Sequence, residues 1–294
     1  MPAQGDVIVV GGAGAVGSMF VDLLRDDGRS VTVLDRTRGS DLVGDISCPD
    51  GPVRGALAQA ELIVLAVAEQ TALAALPTLT RAARADTLIV DTLSVKSRIA
   101  VAVEESGRAG EFLGLNPMFR PSLGPRGRAV IAVPYVDGPR CREFLDEVRS
   151  WGASTPVMDP DRHDRLAAAT QALTHASVLA FGLALTELDV APELALDVGP
   201  PPHRTLSALL ARIVTGEPEV YWDVQSGNPY AATARKALTA AAARLEAATG
   251  NFDDFSDLVA SAAGALGNQS EELNEVAATL FEDLGSHEAE RNRE

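Results

Sequence analysis

The sequence predicts an α/β domain built on a doubly wound parallel sheet, followed by an all-α domain. Three observations carry that reading. Short β-branched runs alternate with helical stretches from Asp6 to about Val157, strand signals stop beyond His163, and Ala/Leu-rich segments of helical spacing fill the remainder. A chain of 294 residues is long enough for two cores. The expected division is 1–158 and 159–294.

Taken in order, the strands are expected at 7–10 (VIVV), 31–34 (VTVL), 62–67 (LIVLAV), 87–91 (TLIVD), 112–115 (FLGL) and 129–133 (AVIAV). Continuous apolar runs of this length suit parallel strands covered by helices on both faces. The first strand runs into Gly11-Gly12-Ala13-Gly14-Ala15-Val16-Gly17, a GxGxxG pattern at 12, 14 and 17, and then into the helical SMFVDLLRDDG. The first glycine permits a tight turn, the second lets backbone approach a pyrophosphate, and the third lets helix and strand pack closely. The second strand ends at Asp35, 18 residues after Gly17, where a carboxylate accepts from ribose hydroxyls and repels a 2′-phosphate. A Rossmann-like NAD site is therefore expected, formed by Gly12, Ala13, Gly14, Ala15, Val16, Gly17, Asp35 and Arg36, with Arg36 slightly weakening the preference over NADP. The bland alternative is a glycine turn beside a solvated strand end. Helices are expected at 164–188, 203–215, 230–249 and 255–284, and the polar ending GSHEAERNRE is expected to fray.

Composition narrows the function. A formal charge of −16 repels polyanions, which disfavours nucleic acid and anionic membrane as partners. An anionic small substrate must then meet a local cluster of arginines. No uninterrupted apolar run approaches the roughly 20 residues of a spanning helix. The start MPAQGDVIVVGG lacks the pattern of a signal peptide, so a cytoplasmic location is expected. Cys48 and Cys141, without a CxxC or a His-rich companion, argue against a disulfide framework and against a thiolate metal site.

Four further segments carry more: DTLSVKS (91–97), GLNPMFRPS (114–122), DRHDRLAAATQALTHASVLAFG (161–182) and PPPHRTLSALLARIVTGEPEVYWDV (201–225). In this order, after a GxGxxG domain, they resemble the prephenate dehydrogenase family of aromatic amino-acid biosynthesis, in the form without a fused chorismate mutase or a C-terminal regulatory domain. In that family a cyclohexadienyl substrate loses hydride from C4 to NAD⁺ and carbon dioxide from C1, becoming aromatic. The resemblance implies that Ser94 hydrogen-bonds the group on C4, that Lys96 adds positive potential nearby, and that Gln171 and His175 line the substrate cleft one helical turn apart. It also implies that Arg212 pairs with a substrate carboxylate, while Arg204 shares that face or serves the domain interface. Read without the family, Ser94 is a helix cap for a helix starting near Val95, His175 a core histidine, and Arg212 a solvated arginine. His163-Asp164 reads as a helix-start arrangement at least as readily as a catalytic one.

One position departs from the family. Where its motif begins with the histidine that takes the 4-hydroxyl proton, this chain has Asn116, and an amide is no base. A positioned base contributes about 10²–10⁴-fold in rate. Three explanations stay open: a weakened or inactive relative, a substitute base such as His175, or a substrate that needs none. A 4-amino group fits the third, because a neutral amine's lone pair expels hydride without prior loss of a proton, and the Asn116 carbonyl can accept from the amine N–H. Such a substrate is 4-amino-4-deoxyprephenate, and the likeness extends to a family branch that oxidises it to 4-aminophenylpyruvate. Arg120, where the commoner pattern has glycine, is a second departure.

Two other classes remain in view. One is a non-catalytic NAD-binding sensor or scaffold. The other is a β-hydroxyacid dehydrogenase, disfavoured because the helical half offers only Lys236, in an alanine-rich segment, as a catalytic lysine. The resemblance further implies a homodimer paired through the long helices at 230–284.

Overall fold

The computed structural model describes residues 6–291, with side chains through 284. Seven strands form one sheet: β1 (Val7–Val10), β2 (Val31–Asp35), β3 (Leu42–Val43), β4 (Leu62–Leu65), β5 (Leu88–Asp91), β6 (Phe112–Pro117) and β7 (Val130–Val136). Their order is β3-β2-β1-β4-β5-β6-β7. β1 through β6 run parallel, in the doubly wound order that leaves a crevice at the carboxyl ends of β1 and β4. Five helices cover the sheet: α1 (Ala15–Asp26), α2 (Gly51–Leu57), α3 (Glu69–Ala82), α4 (Ser97–Glu105) and α5 (Pro139–Ser150). Along β1, Val7 and Val9 enter one core with Phe20 and Leu24 of α1, while Ile8 and Val10 enter the other with Leu57 of α2 and Leu76 of α3. That two-sided burial is why the strand reads as an unbroken apolar run.

Two expectations about the sheet need correction. β7 is antiparallel to β6, because 118–129 holds only a 3₁₀ turn, Pro121–Leu123, and no crossover helix. β3, at two residues, is too short to give a periodic signal.

α6 (Pro160–Ala167) starts at Asp159, whose side chain accepts the Arg162 N–H at 2.9 Å. Asp159 and Pro160 are thus the helix start, and His163-Asp164 lies in the second turn, both residues fully buried. The helix passes through a π-helical turn, Ala168–Ala172, into α7 (Leu173–Glu187). By length and composition this run, Pro160–Glu187, is apolar enough to cross a membrane, although Gln171, Thr174, His175 and Ser177 interrupt it.

The chain folds as two interleaved compact units, 1–170 with 222–231, and 171–221 with 232–294. α6 and a short later segment therefore join the first unit. The second holds α7, α8 (Pro192–Val198), α9 (Pro201–Val214), most of α10 (Pro218–Trp222), α11 (Ala231–Ala248), α12 (Phe252–Ala263) and α13 (Ser270–Arg291). Gly182 of α7 seats against Leu210 of α9. The single helix expected over 255–284 is two, because the chain turns between α12 and α13 at Gly267, whose φ is +57°. α13 carries on through most of the tail expected to fray, and residues 292–294 lie outside the described residues, as do residues 1–5 at the chain start.

Candidate active site

At the carboxyl end of β1 the backbone builds an anion cradle. The tight turn falls on Gly11, at φ +76°, one residue before the pattern's first glycine, and a Cβ there would stand 2.2 Å from the Ala66 carbonyl oxygen. Gly12 is buried, its Cα facing Val33 of β2. Gly14 is the exposed N-cap of α1, and no side chain caps the helix. A Cβ on Gly17 would lie 2.1 Å from the Gly11 carbonyl oxygen, so only glycine lets α1 pack this close to the turn. Ala13 and Ala15 are exposed and Val16 half-buried. No acidic residue occupies the first turn of α1. Uncapped amides, the positive end of the helix dipole and the solvent-exposed backbone of Gly14 together suit a pyrophosphate.

Asp35 closes β2 beside this turn. Its carboxylate accepts from the Ala13 amide at 3.2 Å and the Thr37 amide at 2.9 Å. Partial burial raises its pKa, but those hydrogen bonds outweigh burial and hold it below the ordinary aspartate value. A cleft lined by Val10, Asp35, Arg36, Ile46, Val67 and Thr71 adjoins it, with the Arg36 side chain exposed. Asp45, held by the Ser47 amide and hydroxyl, also lines the cleft, whose apolar walls, with the Asp35 carboxylate at the strand end, fit an adenosine.

Further along the same sheet edge, side chains take over. Lys96 is fully buried, its ammonium 2.6 Å from Asp91 Oδ1 at the end of β5 and 2.9 Å from the Leu115 carbonyl of β6. Burial pulls its pKa down, against the opposing pull of Asp91 and Asp164. The positive potential expected of Lys96 is thus offset on the spot by Asp91, and its two bonds join β5 to β6. The buried Tyr135 hydroxyl lies against Gly114 near the same ammonium, its pKa driven well up by burial and then by Asp91.

Asn116 is buried near the end of β6. Its Nδ2 lies 3.0 Å from His163 Nε2, and His163 Nδ1 lies 2.8 Å from Asp164 Oδ1. Asp164 in turn caps α4 in trans, accepting from the Lys96 amide at 2.8 Å, the Ser97 amide at 2.9 Å and the Ser97 hydroxyl. Burial would lift the Asp164 pKa, but the bonds from His163, Ser97 and Lys96 hold it below the ordinary value. Burial also depresses the His163 pKa, outweighing its carboxylate neighbour, which favours the neutral imidazole at neutral pH. Asn228, in the segment that returns to this unit, donates to the Asp164 carbonyl at 2.8 Å. Ser94, half-buried, precedes α4 by three residues, and the cap that the alternative reading gave it comes from Asp164 instead.

The remaining candidates lie in the second unit. His175 packs edge-on to Tyr221 with centroids 4.9 Å apart, its Nδ1 buried without a hydrogen-bond partner. Burial, then the Arg212 charge, lowers its pKa. Arg212 itself is exposed on α9. Gln171 sits in the π-helical turn, so its one-turn spacing to His175 is not that of a regular α-helix. Arg204 donates to the Gly199 carbonyl at 2.9 Å and the Asp197 carbonyl at 3.2 Å, tying the end of α8 to α9. Arg120 is exposed in the loop after β6.

Sequence reasoning passed over Asp91 and read His163-Asp164 as a helix start at least as readily as a catalytic pair. The Asp159-Pro160 pair was the available signal, since it takes the helix start away from His163-Asp164 and leaves those two polar residues to face inward.

Comparison with known proteins bears on the same regions. Residues 159–261 match the family described as prephenate dehydrogenase, dimerization domain. The chain is 45% identical over 285 residues to the 4-amino-4-deoxyprephenate dehydrogenase of Streptomyces pristinaespiralis, covering 94% of this chain and 96% of that one. Against the T-protein of Enterobacter agglomerans it is 30% identical over 230 residues, 76% of this chain and 57% of that. Among solved structures, a putative prephenate dehydrogenase from Corynebacterium glutamicum aligns with a TM-score of 0.68 at 20% identity, covering 92% of this chain and 90% of that one. The prephenate dehydrogenase from A. aeolicus in complex with hydroxyphenyl propionate and NAD⁺ aligns with a TM-score of 0.62 at 17% identity, covering 99% of this chain and 98% of that one. Both structural likenesses are likenesses of fold.

Proposed function

The chain belongs to the prephenate dehydrogenase family, and from that premise we propose that it carries out the NAD-dependent oxidative decarboxylation of 4-amino-4-deoxyprephenate to 4-aminophenylpyruvate. The observation that carries the substrate choice is Asn116, a buried amide at the sheet edge where the family's motif begins with a basic histidine. An amide cannot take a proton from a 4-hydroxyl. A neutral 4-amino group needs no such help, because its lone pair pushes hydride out and leaves an iminium that draws the electrons of the breaking C1–carboxylate bond. The relative from Streptomyces pristinaespiralis, by its name a dehydrogenase of the amino substrate, supports the same reading at 45% identity.

NAD⁺ supplies the hydride acceptor. The residues that would hold it are the Gly11–Gly17 turn, whose exposed N-cap Gly14 leaves the helix amides free of a capping side chain for a pyrophosphate, and Asp35, whose carboxylate suits ribose hydroxyls and opposes a 2′-phosphate. For the substrate, the first unit offers Asn116 and Ser94 to the C4 amine; in the second unit the exposed guanidinium of Arg212 suits a carboxylate, and Gln171 and His175 are the further residues to which the family resemblance gives a substrate role. Arg204 acts at one remove, through the α8–α9 turn. The 159–261 match to a dimerization domain supports a homodimer, and the exposed apolar side chains of the helical unit, among them Leu183, Val198 and Phe252, are what such pairing would cover. A cytoplasmic location fits a soluble biosynthetic enzyme.

The direct test is NADH formation by purified protein with NAD⁺ and either substrate. Efficient oxidation of the amino substrate with poor oxidation of prephenate supports the proposal. Better turnover of prephenate removes it and points to a substitute base, with His175 first to be tested.

A further inference from the structure

Hydrogen bonds join Asp164, at the amino end of α4, to His163 and His163 to Asn116, the amide proposed to meet the substrate. Direction along that line is fixed by chemistry. Asp164 accepts from two backbone amides and a hydroxyl, which is a carboxylate's arrangement, so the ring atom facing it, His163 Nδ1, carries the proton. A neutral ring protonated at Nδ1 has its lone pair on Nε2, and Nε2 can then only accept. Asn116 must answer with its N–H, which turns the amide so that Nδ2 points inward to His163.

We propose that His163, held by Asp164 in its Nδ1–H tautomer, is a positioning residue that sets the orientation of the side chain at 116 and so decides which of its atoms meets the group on C4. This rests on the role proposed above for Asn116 and extends it to His163 and Asp164. The opposite tautomer would reverse the line: a proton on Nε2 would require the Asn116 carbonyl, and the amide would present its NH₂ toward an amine that also carries N–H. Two donors would then face each other. The relay thus gives the amide its acceptor function toward an amine.

The same geometry bears on a histidine at 116. The Nδ1 of histidine and the Nδ2 of asparagine are both bonded to Cγ, so they stand at the same reach from the backbone. A histidine there would donate Nδ1–H to His163 and carry its lone pair outward on Nε2, the tautomer a base needs. The relay is therefore indifferent to which reaction is run, and the residue at 116 supplies the difference.

The experiment combines a spectroscopic signature with two substitutions. Ring ¹⁵N shifts of His163 in the wild-type protein are expected to show a protonated Nδ1 and an unprotonated Nε2 at neutral pH, and this needs no substrate. His163→Met removes the acceptor and is expected to lower kcat about ten- to hundredfold with KM for NAD⁺ unchanged. His163→Gln, whose Oε1 can still accept from Asn116, is expected to recover most of that loss. A proton on Nε2, unchanged kcat in the methionine variant, or no recovery in the glutamine variant would each overturn the inference. If the wild type prefers prephenate, the substrate proposal fails separately, and the ¹⁵N result together with the same pair of variants assayed on prephenate still decides the relay. Should His163→Met fail to fold, the ¹⁵N tautomer and the glutamine variant decide it.

Discussion

The two ends of one sheet edge are made of different material. At β1 and β2 the site is backbone: a glycine turn, uncapped helix amides and one carboxylate held by amide hydrogen bonds. At β5 and β6 it is side chain on side chain, Asp91 to Lys96 and Asp164 to His163 to Asn116, all fully or almost fully buried. A backbone cradle serves any dinucleotide and fails by steric intrusion. A buried polar chain serves one chemistry and fails when a partner is lost.

The largest effect should come from breaking the second end. Lys96→Met strands Asp91 in the interior and is expected to destabilise the fold by about 3–5 kcal/mol, measured by denaturant unfolding. The paired change Lys96→Met with Asp91→Leu should restore much of that, since the penalty belongs to the uncompensated charge.

At the backbone end, Gly17→Ala drives a methyl into the Gly11 carbonyl oxygen. A stability cost of about 1–3 kcal/mol is expected, together with loss of NAD⁺ binding by calorimetry. The asymmetry between the two ends predicts that Lys96→Met costs more in folding and Gly17→Ala more in cofactor affinity.

Acid titration gives a smaller, graded effect. His163 is buried and His175 half-buried, and burial lowers the pKa of both below the ordinary histidine value of 6.5. The unfolded chain binds protons that the folded chain refuses, so their contribution is complete above pH 6.5 and is lost as pH falls below it, by at most about 1.4 kcal/mol per pH unit for each histidine. Melting temperature between pH 7.5 and 5 should fall, and His163→Gln should flatten part of that fall. Asp164, with its pKa lowered, loses its contribution only further down, as pH drops below the ordinary aspartate value of 3.8.

The smallest expected effect is at Arg120. Its side chain is exposed, and Arg120→Gly should leave stability within about 0.5 kcal/mol.

The same contrast explains what the sequence disclosed. The glycine pattern and Asp35 were legible because a backbone site needs particular residues at fixed spacing, and only the exact turn residue, Gly11 rather than Gly12, was misplaced. The strands were legible as apolar runs, except β3, which is too brief, and the direction of β7, which depends on the connection before it. The relay was not legible. Asn116, His163 and Asp164 meet only when β6 and α6 pack, across a separation of 47 residues that no local pattern records. Lys96 was picked out as a charge near the substrate, and its partner Asp91 lay within the same DTLSVKS segment, but burial is what turns the pair into a strut. In the helical unit, spacing missed the π-helical turn at Ala168–Ala172 and the break before α13, since neither changes the apolar content.

The most direct test of the central claim is the ratio of kcat/KM for 4-amino-4-deoxyprephenate to that for prephenate, measured in the wild type and in Asn116→His. The account predicts a ratio well above one in the wild type, and a gain in prephenate oxidation of about 10²-fold or more in the histidine variant as a base enters the same relay. A wild type that favours prephenate, or a histidine variant that leaves prephenate oxidation unchanged, would contradict it.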